Sequence, residues 1–247
     1  MVPAIEKADS IFTYLMHHPE GASLKEISTT LDIPKSTAHR MLLSLSQFDY
    51  LEQDGVNGRY TLGPKLLSLS RAAEQKLNLN RIAVPFLEEL AKETEETVKL
   101  SVIRHQKIYV INTVLSPRQM KITVETGAVF PPHIGAASKL LLASLQDEEI
   151  EEYLNHSLEA YTTRSIVEAE KLRRAVVAIR EEMIARDGEE ETLGISGVAA
   201  PVKDSFGTWI AAVSIPYITA LRNESELIPP LQRCVAGISG RLGYINP

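Results

Sequence analysis

The chain has 247 residues, enough for two domains, with a net charge of −6 and 44% apolar residues. That charge excludes a protein that coats nucleic acid nonspecifically, but not a sequence-specific binder, which needs a local basic face rather than a basic total. The single cysteine, Cys234, excludes an internal disulfide and a cysteine metal cluster, and its apolar neighbours make it a small buried hydrophobe.

A first helix is predicted over 4–17, with Ile5, Ala8, Ile11, Phe12 and Leu15 on one side. Pro19-Glu20-Gly21 stops it, and His17 and His18 read as exposed end-of-helix residues. Ser23-Leu24-Lys25-Glu26 has the Ser-x-x-Glu spacing of a capping box and starts a second helix. Asp32-Ile33-Pro34 breaks it, because the residue before a proline is pushed out of the helical region. Pro34 suits the first position of a third helix. Met41, Leu42, Leu45 and Phe48 give that helix its buried face, which leaves Lys35, Ser36, Thr37, His39 and Arg40 outside it at the start.

Tyr50-Leu51-Glu52 and Arg59-Tyr60-Thr61-Leu62 read as two short strands around Gly55-Val56-Asn57-Gly58. This is the order of a winged helix-turn-helix, whose second helix of the pair enters the DNA major groove. Hydroxyls can bond phosphate or base edges, and Arg40 can pair bidentately with guanine. Asn57 and Arg59 at the hairpin tip suit a phosphate or the minor groove; the alternative for Arg59 is a solvated turn residue. A helix-turn-helix pattern also occurs in proteins that never touch nucleic acid. Residues 1–70 carry six Lys or Arg against eight Asp or Glu, so a single copy should bind DNA modestly, and a dimer or higher oligomer is expected to add contacts.

Residues 65–80 turn helical again, as a linker between domains or as part of the first core. A second domain follows. Its expected elements are a helix over 84–94, strands over 98–104 and 107–114 joined at His105-Gln106, and a third strand over 120–125. Helices are expected over 136–145, 147–155 and 167–186, then a strand pair over 195–202 and 208–215, and a closing helix over 224–242. Helices separated from antiparallel strands indicate an α+β, sensor-like domain.

Gly135-Ala136-Ala137-Ser138 opens a predicted helix, where unpaired N–H groups favour an anion. Close packing of helix on sheet explains the small residues equally well. Glu189-Glu190-Glu191 reads as a solvated face rather than a metal or acid–base cluster. His105, His133 and His156 lack metal-ligand spacing; His133 adjoins the small-residue segment and reads alike as ligand contact, core or cap. Trp209 reads as core. There is no Gly-rich phosphate loop and no G-x-S-x-G elbow, so no catalytic residue, metal site or cofactor is assigned.

The segments Ile33-Pro34-Lys35-Ser36-Thr37-Ala38-His39-Arg40 and Gly58-Arg59-Tyr60-Thr61-Leu62-Gly63-Pro64 resemble the IclR family of bacterial transcriptional regulators. So do Pro131-Pro132-His133-Ile134-Gly135-Ala136, Asp187-Gly188-Glu189-Glu190-Glu191-Thr192-Leu193-Gly194 and Val198-Ala199-Ala200-Pro201-Val202, in the family's order and spacing over nearly the whole chain. The resemblance implies a winged helix-turn-helix domain over 1–66, a linker helix over 67–79 and a GAF-like effector-binding and oligomerisation domain over 80–247. It implies binding of double-stranded operator DNA by a homodimer or dimer of dimers, with repression the favoured sense, and control by a small organic acid.

Carried over residue by residue, the effector site is Gly135, Ala136, Asp187, Gly197, Ser214 and Pro216. Gly197 stands where many members have Cys, and Pro216 where some have Ser. These changes remove polar contacts and enlarge one wall, so an acid larger than a small keto acid is expected. No apolar run reaches the length of a membrane span and the first residues lack a charged-then-apolar leader, so a cytoplasmic protein is expected. Two rivals are kept: a constitutive DNA-binding dimer with no ligand, and an enzyme fused to a DNA-binding module.

Overall fold

The computed structural model describes residues 3–69 and 78–244. The chain divides into two compact units, Met1–Asn78 and Leu79–Pro247. Most of the expected linker helix, residues 70–77, lies outside the described residues; residues 64–69 before it are helical.

The first unit holds α1 (Pro3–Met16), α2 (Leu24–Thr30), α3 (Lys35–Gln47) and the antiparallel pair β1 (Leu51–Gln53) and β2 (Tyr60–Leu62). The capping box at the start of α2 forms: Glu26 N–H donates to Ser23 Oγ at 3.3 Å, and Ser23 N–H donates to Glu26 Oε2 at 2.7 Å. Pro34 stands one position earlier than expected, as the N-cap of α3, and its carbonyl accepts from the N–H groups of Thr37 and Ala38. Ile11, Leu15, Ile27, Ala38, Leu42, Leu51 and Tyr60 form the core of this unit. Ala38 and Leu42, four residues apart, are the inward stripe of α3. A bridge between Ala22 and Tyr60 adds a second short pairing to the wing.

The second unit is a six-stranded antiparallel sheet in the order β5-β4-β3-β8-β7-β6. The strands are β3 (Val98–Arg104), β4 (Lys107–Val114), β5 (Val129–Phe130), β6 (Ala185–Gly188), β7 (Ile195–Lys203) and β8 (Trp209–Ile218). Five helices flank it: α4 (Asn78–Thr94), α5 (Ala136–Ala143), α6 (Asp147–Leu154), α7 (Ala169–Glu182) and α8 (Glu224–Arg241). Side chains alternate across a strand. Leu100 and Val102, Val198 and Ala200, and Val213 and Ile215 therefore meet α4 and α8 in one core layer. The opposite face presents smaller residues, among them Ala199 and Ala212, to Ala136, Ala137, Leu140 and Leu141 of α5, which α6 and α7 cover.

Two expected elements are corrected. Residues 120–125 form no strand; they are a loop in which the carbonyl of Ile122 accepts from Thr97 Oγ1 at 2.6 Å. Their β-forming residues reflect half-burial against other elements rather than sheet pairing. The edge strand is β5 instead. The helix expected over 167–186 ends at Glu182, because Met183 turns left-handed at φ 57° and caps it. The next residues form β6, paired with β7. The apolar pair Ile184-Ala185 continues the helical spacing in sequence and hides this break.

Candidate DNA-binding face and ligand cavity

On the first unit, Lys35, Ser36, His39 and Arg40 are exposed together on the first turns of α3, and Thr37 beside them is half-buried. Pro34 supplies no side-chain cap, so the helix start keeps donors free for a phosphate. The hairpin tip is ordered by its own side chains: Val56 N–H donates to Asp54 Oδ1 at 2.8 Å and Arg59 N–H to Asn57 Oδ1 at 2.9 Å. Asn57 is exposed there, with Val56 beside it.

Arg59 makes contacts within its own unit. Its Nη2 and Nε donate to the Gly21 carbonyl at 2.6 and 3.1 Å, and Nη1 lies 3.4 Å from Glu26 Oε2. The guanidinium thus ties the wing to the loop before α2 and to the capping box itself.

On the second unit, the sheet brings together residues far apart in sequence. Lys99 of β3 pairs with Ser214 of β8, and Ser214 with Ala199 of β7. One step along, Pro216 pairs with Gly197, and Gly197 with Asp187 of β6. All six residues carried over from the resemblance line one cavity of about 160 Å³, under the first turn of α5. The cavity exists because this face of the sheet carries Gly197, Ser214 and Pro216 where its other face carries large aliphatic residues. Loop residues Ile122 and Val124 and the Phe130 ring complete the wall.

The start of α5 depends on Gly135, whose φ of 89° is a conformation other residues adopt only with strain. A Cβ there would lie 3.7 Å from Glu191 Oε2 and 3.9 Å from Asp187 Oδ2. Two carboxylates therefore already face this helix end. Asp187 accepts from the Glu190 N–H at 2.8 Å, yet burial dominates and pushes its carboxyl up to about 6. Burial also holds the Lys99 ammonium below the ordinary lysine range, with Glu191 and Asp187 opposing that fall.

Two features escaped the sequence reading, and a third, His133, resolves to one of its alternatives. Glu190 is buried rather than solvated and pairs with Lys139 of α5, every residue of which is buried. A lysine inside an otherwise apolar helix is the signal that a carboxylate partner must exist. Lys99 and Glu191 also line the cavity. The alternation in β3 placed Lys99 on its polar face, but only the fold shows that this face is covered. His133 is buried away from the cavity, with Nδ1 2.5 Å from Tyr153 Oη and Nε2 2.9 Å from the Glu159 carbonyl.

Residues 71–240 match the C-terminal domain of the bacterial transcriptional regulator IclR, and residues 4–55 match the IclR helix-turn-helix domain. The chain belongs to the IclR family. It is a DNA-binding transcriptional regulator with an N-terminal helix-turn-helix domain and a C-terminal IclR domain of α+β architecture, and its family members are regulators rather than enzymes. Among its IclR relatives is the glycerol operon regulatory protein of Streptomyces coelicolor, 30% identical over 98% of this chain and 97% of that one. Another is the DNA-binding transcriptional repressor YiaJ of Escherichia coli, 30% identical over 93% of this chain and 84% of that one. The crystal structure of an IclR transcriptional regulator from Alicyclobacillus acidocaldarius superposes with a TM-score of 0.85 at 26% identity, covering 97% of this chain and 98% of that one. Among the described residues no helix is long and apolar enough to cross a membrane, and no group of three His, Cys, Asp or Glu could hold a metal ion.

Proposed function

We propose that this IclR regulator is a cytoplasmic repressor that binds its operator as a homodimer, or as a dimer of dimers, and responds to a small organic acid held in the C-terminal cavity. The observation that carries this reading is the convergence of Gly135, Ala136, Asp187, Gly197, Ser214 and Pro216 on one cavity. A cavity of about 160 Å³ is the size of an engineered apolar one of ~150 Å³ that takes up benzene. A monocyclic or short-chain acid fits it, in keeping with an effector larger than a small keto acid. The repressor sense rests on relatives such as YiaJ.

Lys35, Ser36, Thr37, His39 and Arg40 are the candidate DNA contacts on α3, with Asn57 at the wing. Arg59 serves as the brace of the wing. Binding of the acid changes operator affinity by no more than its difference in affinity between the DNA-competent and DNA-incompetent states.

The test is a mobility shift with the full chain and the DNA upstream of its own gene, repeated with a panel of organic acids and at several salt concentrations. A specific shift that one acid changes is the expected result. Arg40→Ala is expected to lose about 1–3 kcal/mol of operator binding if Arg40 reads a base. Arg59→Ala is expected to leave the salt slope unchanged while lowering the melting temperature of the protein. No shift on any neighbouring promoter, with or without acids, would overturn the proposal.

A further inference from the structure

The cavity is electrically two-ended, and its cation, Lys99, has neither an ion pair nor a hydrogen bond among the described residues. Lys99 is buried at 9% exposure and its side chain lines the cavity. Its Nζ lies 5.2 Å from the centre of the Phe130 ring. Next to it, on the paired position of β8, Ser214 is 3% exposed and its Oγ is buried without a hydrogen-bond partner.

Buried polar groups are almost always partnered, and leaving one bare costs the full desolvation of that group. Ser214 Oγ is such a group, and it shares one cavity with the Lys99 ammonium of the paired strand position; together they point to a ligand that satisfies them. Both can donate, and one is a cation, so the matching ligand group is a carboxylate.

The opposite end has the reverse chemistry. Asp187 lies on β6, three strands from Lys99, about 14 Å across the sheet at the usual strand spacing. Asp187 and Glu191 both face the start of α5. Their charges act on Lys99 across the cavity without contact. An anion placed against α5 would meet these two carboxylates, so the helix start is the wrong end for the ligand's acid group. The same carboxylates suit a hydrogen-bond donor.

We propose that Lys99, with Ser214, is the group that reads the carboxylate of the effector, and that Asp187 and Glu191 read a donor at the effector's far end. The ligand class is a monocarboxylic acid that carries a hydroxyl or ammonium group across the length of one ring or a short chain. This rests on the effector-binding reading above and assigns the direction in which the ligand lies.

Calorimetric titration of the full chain with matched probes tests it: 4-hydroxybenzoate, 4-(aminomethyl)benzoate, benzoate and 4-hydroxybenzamide, with 6-hydroxyhexanoate, 6-aminohexanoate and hexanoate as the acyclic set. Wild type is expected to prefer the hydroxy acid to its amide by roughly 10- to 100-fold, the usual worth of a hydrogen bond to a charged group. It should also prefer the donor-bearing acids to benzoate or hexanoate; the hydroxyl and ammonium members show which donor is taken.

Lys99→Met should erase the acid-over-amide preference. Because it removes an unpaired buried charge, it should also melt at or above the wild-type temperature, which separates lost recognition from lost folding. Ser214→Ala, a smaller change, should weaken the acid several-fold and leave the amide unaffected. If wild type binds acids and Lys99→Met keeps the same acid-over-amide ratio, Lys99 does not read the carboxylate, while the effector reading stands. If benzoate binds as tightly as the donor-bearing acids, the far-end assignment falls. If no acid of either set binds wild type, the effector reading falls and this inference with it.

Discussion

Asp187 shows how one residue can serve a cavity at the expense of the free protein. Its carboxyl is raised from 3.8 to about 6, chiefly by burial. Between those values the native state holds a proton that the unfolded chain has released. Stability therefore falls as pH rises through that window and levels off above it. Two pH units correspond to about 3 kcal/mol at most. Asp187→Asn keeps an acceptor for the Glu190 N–H but cannot ionise. Relative to wild type it is expected to be more stable above pH 6.5, with the difference vanishing near pH 4. Denaturant melts of both proteins from pH 4 to 8 check this; parallel pH profiles would clear Asp187 of the linkage. The same residue scale shows what sequence could and could not reveal. Gly135, Ala136 and Asp187 were identifiable because they sit in motifs, whereas Lys99 stands in an ordinary strand pattern and gains its meaning only from Ser214, 115 positions away in sequence but adjacent in the sheet.

At the scale of elements, α4 and α8 cross where Gly237 meets Phe86, and Cys234 Sγ lies 3.5 Å from the Phe86 carbonyl. A methyl group on Gly237 would overlap the Phe86 ring. Gly237→Ala should favour the helix locally, since alanine is the better helix former. The overlap works in the opposite sense and forces the two helices apart at a cost of about 1–3 kcal/mol. Net destabilisation is the expected outcome, measured by denaturant melts, with Phe86→Leu in the same chain restoring part of it. A stabilised Gly237→Ala protein would mean that the ring moves aside freely. Burial on this side also pushes the Cys234 thiol up to about 12, in accord with its reading as a small buried hydrophobe. Helix starts marked by caps, and strands marked by alternation, were readable from sequence. The end of α7 and the missing strand over 120–125 were not, because apolar spacing continues through both while tertiary pairing does not.

For the molecule as a whole, the two units have separate hydrophobic cores: one around Ile27 and Leu42, the other on both faces of the six-stranded sheet. A unit with its own core can fold by itself. A fragment beginning at Leu79 is therefore expected to melt cooperatively and to keep any acid-induced rise in melting temperature shown by the full chain. It should fail to shift operator DNA. Thermal melts with and without the effective acid, alongside mobility shifts, check this. A fragment that folds but has lost the acid response would place part of the ligand site in the first unit.

By itself the sequence determined what depends on near neighbours: the capping box at Ser23, the break at Pro34, the exposed polar start of α3, and the motif residues that mark an IclR chain. Local backbone preferences and short-range periodicity suffice for these. Only the tertiary structure decided which polar residues are covered. It turned Glu190 from a surface charge into the buried partner of Lys139, and it tied Arg59 to the Gly21 carbonyl and Glu26. It set Lys99 on the strand position paired with Ser214, in one cavity with it. Burial depends on how distant strands and helices come together, and that in turn decides whether a charge is solvated, paired or left waiting for a ligand.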